Sequence, residues 1–146
     1  MHPIHPMLVH FPIALLSAAV FFDLLGLRWR GDECRTVSLY TLVLGLAGAL
    51  AAVISGHMAE EAVEHSGVPE SVLELHEGLG FATFWIFLGL LGWRVITGLG
   101  FVRERRAVSV GLGIVGVVVL LVASYYGGSL VYDYGAGVAG YPAKNP

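Results

Sequence analysis

Four long apolar runs constrain this chain more than any other feature of its sequence. They cover about residues 8–27, 37–56, 78–100 and 107–127, and each is close to the ~20 residues that a helix needs to cross a bilayer. Because the hydrocarbon offers no water to bind the backbone, runs of this length are expected to be helices. With 56% hydrophobic and 13% charged residues, the chain is too apolar for an ordinary soluble domain.

Short connections predict how the runs pack. Residues 31–35 join the first two runs and residues 103–106 join the last two, so the members of each pair are expected to be antiparallel neighbours. The sequence therefore predicts one all-α domain over residues 1–146, an integral membrane four-helix up-down bundle. We find no internal repeat in the sequence. The tail from residue 127 onward has no helical period and predicts an irregular cap over one end of the bundle.

Basic residues predict the orientation of the bundle. Seven of the eight Lys and Arg residues flank the first and third connections: Arg28, Arg30, Arg35, Arg94, Arg103, Arg105 and Arg106. Such residues accumulate on the cytoplasmic side of a membrane. Both termini and the acidic connection between the second and third runs are therefore expected to be extracytoplasmic. Asp23 is the one acid inside an apolar run, and we expect it to pair with nearby Arg28.

All six histidines lie near run ends on the opposite side from these arginines. At 100° per residue, His76 shares a face with apolar residues and lies opposite three glutamates, so it is expected to point inward. His10 shares its face with small residues, which predicts that it also points inward. His57 lies across its helix from a stripe of small residues and is expected to be solvated.

These directions lead to a hypothesis in which His10 and His76 ligate one metal centre between two helices. The positive end of the helix dipole and a low dielectric favour neutral imidazole near helix starts, and a metal or haem iron requires that form. Two imidazoles from opposed helices are the usual ligands of a b-type haem in a membrane bundle. His5 is a third candidate, and Pro12 is expected to disturb the helix beside His10.

Three other interpretations stay open at this point. The histidines can be interfacial residues that hydrogen-bond to the tail or to each other. The i, i+4, i+8 series of His57, Glu61 and His65 can hold a surface metal or form a solvated face. Glycines at 56, 80 and 127 can make room for a flat cofactor, although stripes of small residues first of all indicate close helix packing.

Two stretches of the sequence resemble a known family. Residues 5–15 read HPMLVHFPIAL, and residues 127–138 read GGSLVYDYGAGV. They resemble the small four-helix bacterial membrane proteins known as domain of unknown function 2231, over nearly the whole chain, and His76 also fits the pattern. The resemblance implies the fold and a bacterial inner membrane rather than an activity. Its members look like companions of Rieske or cytochrome-like modules. Relatives carry His where Tyr134 stands, so the resemblance leaves open whether Tyr134 replaces a ligand.

The expected function is a membrane-embedded haem- or metal-binding subunit that transfers electrons within or beside a respiratory-type redox complex, with haem b or a single transition-metal ion as cofactor. A cofactor-free structural or assembly subunit is the first alternative, and a small permease or metal-handling protein is the second. No nucleophile with an adjacent base or phosphate-binding loop indicates an enzyme. The expected partners are the lipid bilayer and either other membrane or redox subunits or a second copy of the chain, without nucleic acid.

Overall fold

Four helical spans run back and forth in an antiparallel bundle. The computed structural model describes residues 4–64 and 68–138, without the side chains of residues 60–64. Its helices are α1 (His5–Leu8), α2 (His10–Leu25), α3 (Gly31–Glu64), α4 (Glu70–Gly98) and α5 (Arg106–Tyr132). Within the described residues, four helical stretches are long and apolar enough to cross a membrane, the first formed by α1 and α2 together. The predicted all-α, four-helix membrane architecture is confirmed.

The helices form a ring in chain order. α2 packs against α3 and α5, and α4 packs against α5 and α3. The core between them holds Leu16, Ala19, Val20, Leu42, Leu46, Ala49, Phe87, Leu90 and Leu120. Large apolar side chains also cover the outside of the bundle, and Trp85 is 63% exposed there. An outer surface of this kind is stable only against lipid or another apolar surface.

The first span is interrupted one turn into the membrane-spanning stretch. α1 ends at Leu8 and α2 begins at His10. Pro12 has no N–H to donate to the Leu8 carbonyl, whereas the N–H of Ile13 donates to the Val9 carbonyl at 3.3 Å. The interruption therefore lies where Pro12 was expected to disturb the helix, and it leaves α1 as a short separate turn that carries His5.

The last helix is longer than predicted. Irregular structure was expected from residue 127, but α5 continues to Tyr132. Two glycines with left-handed backbone follow this end, Gly135 at φ 70° and Gly137 at φ 75°, a conformation that glycine adopts without steric cost. The N–H groups of Gly135 and Ala136 turn back to the carbonyls of residues 131 and 130. The glycines of this motif therefore have a structural role in ending the helix.

The two helical hairpins, α1–α3 and α4–α5, repeat each other's contacts. A Cβ at Gly45 would lie 2.7 Å from a Leu16 side-chain atom, and a Cβ at Gly116 would lie 2.8 Å from a Phe87 side-chain atom. Gly116 lies 71 positions after Gly45, and Phe87 lies 71 positions after Leu16. The same separation divides Asp23 from Arg94. The expectation that the chain has no internal repeat is therefore wrong.

The same spacing relates further contacting residues of the two hairpins. The equivalent pairs are His5 and His76, Asp23 and Arg94, Ser38 and Ser109, Ala52 and Ala123, and Gly56 and Gly127. Because α2 and α4 run in the same direction, these equivalences indicate an approximate two-fold axis parallel to the helices. Equivalent residues that contact each other, such as His5 and His76, lie at this axis.

Candidate functional site

Two imidazoles meet where α1 and α4 begin, which we call the histidine end of the bundle. The ring centroids of His5 and His76 are 6.1 Å apart, and the ring planes make an angle of 80°. Both side chains are partly buried. The prediction that His76 faces inward is confirmed, and its neighbour across the axis is His5.

Each imidazole is held by a backbone carbonyl of the neighbouring helix in its own hairpin. His5 Nδ1 lies 2.9 Å from the Ala52 carbonyl oxygen and 3.1 Å from Ser55 Oγ. His76 Nδ1 lies 3.0 Å from the Ala123 carbonyl oxygen. A carbonyl oxygen only accepts hydrogen bonds, so the Nδ1 of each ring carries the proton and donates it. In the neutral ring, Nε2 is then left as a bare acceptor.

Two glycines let the rings lie against the helices. A Cβ at Gly56 would be 3.1 Å from Cε1 of His5, and a Cβ at Gly127 would be 2.8 Å from Cε1 of His76. Both distances are below ordinary carbon contact, so a larger residue would push the ring away. A Cβ at Gly80 would meet nothing within 4 Å. Gly56 and Gly127 therefore make room for the imidazole rings, and the expectation that glycines at 56, 80 and 127 make room for a flat cofactor stays a prediction.

His10 does not join this pair. The residue is exposed on the outside of α2, whose buried residues are Pro12, Leu16, Ala19 and Val20. The prediction that His10 faces inward is therefore wrong. It lies five positions after His5, a step that turns a regular helix by about 140°, so the two imidazoles are expected on different sides of the span. His5, the third candidate in the sequence, occupies the place expected for His10.

The other candidate residues are farther from this site or outside the described structure. His57 is exposed, as predicted. The side chain of Glu61 and all of His65 lie outside the described residues, so the i, i+4, i+8 series stays a prediction. Tyr134 is partly buried beyond the end of α5, and its role as a substitute ligand also stays a prediction. Among the described residues, no group of three or more His, Cys, Asp and Glu is placed to hold a metal ion.

The two bare nitrogens determine what the pair can do chemically. Two acceptors cannot hydrogen-bond to each other, so each Nε2 needs a donor or a metal ion. A metal lies about 2 Å from an imidazole nitrogen, which itself lies about 1 Å from the ring centroid, so rings that share one ion have centroids roughly 6 Å apart or less. The observed 6.1 Å is close to this limit.

The opposite end of the bundle contains a buried ion pair, whose arginine the sequence predicted wrongly. Asp23 pairs with Arg94 of α4 and not with Arg28 as expected, and the two side chains are 10% and 6% exposed. Nη1 and Nη2 of Arg94 each donate to Ser38 Oγ at 3.1 Å, and Ser38 donates to the Ala19 carbonyl at 2.7 Å. Arg94 is thus a core residue of the bundle rather than a loop residue that marks orientation.

Comparison with known proteins gives one match. Neither the curated proteins nor the solved structures include a protein that matches this chain. A family model described as "predicted membrane protein" matches residues 1–140, which include both spans of each hairpin and the two imidazoles. This match, together with the four apolar helices, shows that the chain belongs to the DUF2231 family of multi-pass membrane proteins.

Proposed function

We propose that this protein is a membrane-embedded haem- or metal-binding subunit that transfers electrons, with His5 and His76 as the two protein ligands of one metal centre. The pair of backbone-anchored imidazoles carries the proposal. Metal-binding histidines almost always donate their second ring N–H to a carbonyl or carboxylate, which fixes the tautomer and the direction of the ring. His5 and His76 both have this arrangement, and it prepares Nε2 of each as a ligand.

The number of available ligands favours haem over a bare ion. Structural zinc sites use four protein ligands and catalytic zinc sites use three, whereas the described residues provide a pair of imidazoles and no larger cluster. Haem brings nitrogen ligands of its own and would need only two more from the protein, which His5 and His76 could provide. A b-type haem is therefore the favoured cofactor, and a single transition-metal ion that accepts two imidazoles is the second choice.

The chain's own residues would orient the ligands and shield them. The Ala52 and Ala123 carbonyls accept hydrogen bonds from Nδ1 of the two rings. Gly56 and Gly127 let the rings lie close to α3 and α5. When bound, haem would supply reversible one-electron oxidation and reduction at a potential set by its ligands and their burial. Because the ligands are equivalent by the two-fold repeat, both hairpins would contribute equally to the centre.

The proposal includes an orientation and a location. The arginines in the two connections opposite the histidines would be cytoplasmic. Arg94 is buried and no longer counts toward this orientation, but the other arginines still favour it. The histidine end and both termini would then be extracytoplasmic in a bacterial inner membrane. Electron donors and acceptors would dock at that end as other membrane or redox subunits.

An absorption spectrum of protein purified in a mild detergent tests the proposal. We expect a reduced-minus-oxidised haem spectrum in the wild type, which His5→Ala and His76→Ala each abolish. His10→Ala is the matched control, because His10 lies in the same sequence motif but outside the bundle, and it should keep the spectrum. A flat wild-type spectrum, together with no stoichiometric metal ion, would favour a cofactor-free structural subunit.

A further inference from the structure

A small polar cavity lies at the end of the bundle opposite the histidines, which we call the arginine end. Its volume is about 30 Å³, and it is partly open to the outside. The wall includes Asp23, Arg35, Arg94, Glu104, Arg106 and Ser109. A water needs about 10–15 Å³ in such a cavity, so the space suits about two water-sized groups.

The internal repeat explains why this cavity exists. Ser109 is the counterpart of Ser38, whose hydroxyl accepts two hydrogen bonds from Arg94. The counterpart of Arg94 is Asp23, and its shorter side chain leaves open the space that a second arginine would fill. Ser109 is only 7% exposed, and its Oγ has no hydrogen-bond partner among the described residues. A buried hydroxyl without a partner costs about 1–3 kcal/mol, so a ligand that binds it is favoured.

The charges of the wall favour an anion. Arg94 pairs with Asp23, and Arg35 pairs with Glu104. Arg106 adds a third guanidinium, 3.6 Å from the Cβ position of Gly31, so three arginines face two carboxylates. α5 begins at Arg106 without a side-chain cap, and uncapped N–H groups at a helix start also attract anions.

We propose that this cavity binds a phosphate group through Arg106, Arg35 and the Ser109 hydroxyl. Guanidinium groups match the geometry of phosphate oxygens and bind them in pairs. The volume suits two phosphate oxygens, and the open side leaves room for an ester chain. Basic pockets between membrane helices at a membrane boundary bind the headgroups of anionic lipids in this way. The phosphate can therefore come from a phospholipid or from the free ion.

Thermal unfolding in a neutral detergent tests the phosphate site. Sodium phosphate is titrated at constant ionic strength, and we expect the unfolding midpoint of the wild type to rise and then saturate. Arg106→Gln should weaken the apparent affinity by about tenfold or more, the loss expected for one charge-assisted hydrogen bond. Ser109→Ala should weaken it several-fold. Arg103→Gln is the matched control, since Arg103 is exposed on the same connection and does not belong to the wall described above.

A second arm separates the two sources of phosphate. The protein is reconstituted in nanodiscs of phosphatidylcholine with phosphatidylglycerol, and the lipid that it retains is measured by native mass spectrometry. Retention of phosphatidylglycerol by the wild type and Arg103→Gln, but not by Arg106→Gln, assigns the site to a headgroup. A phosphate-dependent midpoint without selective lipid retention assigns it to the free ion. A midpoint that does not respond to phosphate, with equal retention by wild type and Arg106→Gln, overturns the proposal.

Discussion

Asp23 and Arg94 occupy equivalent positions in the two hairpins, and they bind each other across the approximate two-fold axis. Two identical residues at such positions would place like charges side by side in a buried site, which is strongly unfavourable. The opposite charges therefore require the two hairpins to differ here. They also neutralise each other, which is what allows ionisable side chains to stay inside a membrane bundle.

We predict that removal of either charge destabilises the bundle, whereas exchange of the two charges restores it. Asp23→Asn leaves Arg94 buried without a counter-ion and should cost about 3–5 kcal/mol. In the double variant Asp23→Arg with Arg94→Asp, the new arginine would reach Ser109, the counterpart of Ser38. Thermal unfolding in detergent measures the difference. A double variant no more stable than Asp23→Asn would show that the two positions are not equivalent.

The glycine beside His76 is predicted to control the metal site. The Cβ of Gly127→Ala would lie 2.8 Å from Cε1 of His76, so the ring has to move and its hydrogen bond to Ala123 is strained. We expect a loss of most of the bound metal or haem. Gly56→Ala should have a smaller effect, because its Cβ would be 3.1 Å from His5. Gly128→Ala is the control, since its Cβ would meet nothing within 4 Å, and equal metal content in all three variants would refute the prediction.

The two glycines in the middle of the bundle are predicted to control packing within each hairpin. Gly45→Ala and Gly116→Ala force a methyl group against Leu16 and Phe87, respectively. Overpacking of this kind costs about 1–3 kcal/mol. Gly111→Ala provides the comparison, because its Cβ would face open space. Unfolding midpoints of Gly45→Ala and Gly116→Ala that match that of Gly111→Ala would contradict the packing described here.

The sequence was sufficient to predict the architecture. It was not sufficient to identify both inward imidazoles, because it indicated His10 where the structure has His5. Run lengths and short connections were sufficient for the four-helix bundle, because bilayer thickness and backbone hydrogen bonding restrict such runs to helices. The inward face of the first span was harder to predict. In a membrane helix both the core face and the lipid face are apolar, so periodicity separates them poorly, and the small residues near His10 gave a misleading direction.

The repeat was not recognised in the sequence because it is preserved mainly where the helices touch. Ser38 and Ser109, Gly45 and Gly116, and Gly56 and Gly127 are identical pairs, whereas most positions between them differ within the apolar class. A residue that is apolar on a lipid-facing surface can change freely without loss of packing. The Asp23–Arg94 pair was missed for a related reason, since its two members have opposite charges and resemble each other only through their positions.

Labelling of single cysteines tests the orientation in the membrane. We predict that Pro69→Cys, on the exposed connection between α3 and α4, reacts with an impermeant maleimide added to intact cells. Arg103→Cys, at the arginine end, should react only after the membrane is permeabilised. The native Cys34 is buried, so the unmodified chain provides the background. The reverse labelling pattern would place the histidine end in the cytoplasm.

Electron paramagnetic resonance of the oxidised protein tests most directly whether His5 and His76 share one metal centre. A haem iron held by two imidazoles is low-spin, and we predict that signal in the wild type and in His10→Ala. Loss of either imidazole should release the haem and remove this signal, in His5→Ala and His76→Ala alike. A low-spin signal that survives in either of these two variants, or that disappears in His10→Ala, would contradict the shared centre.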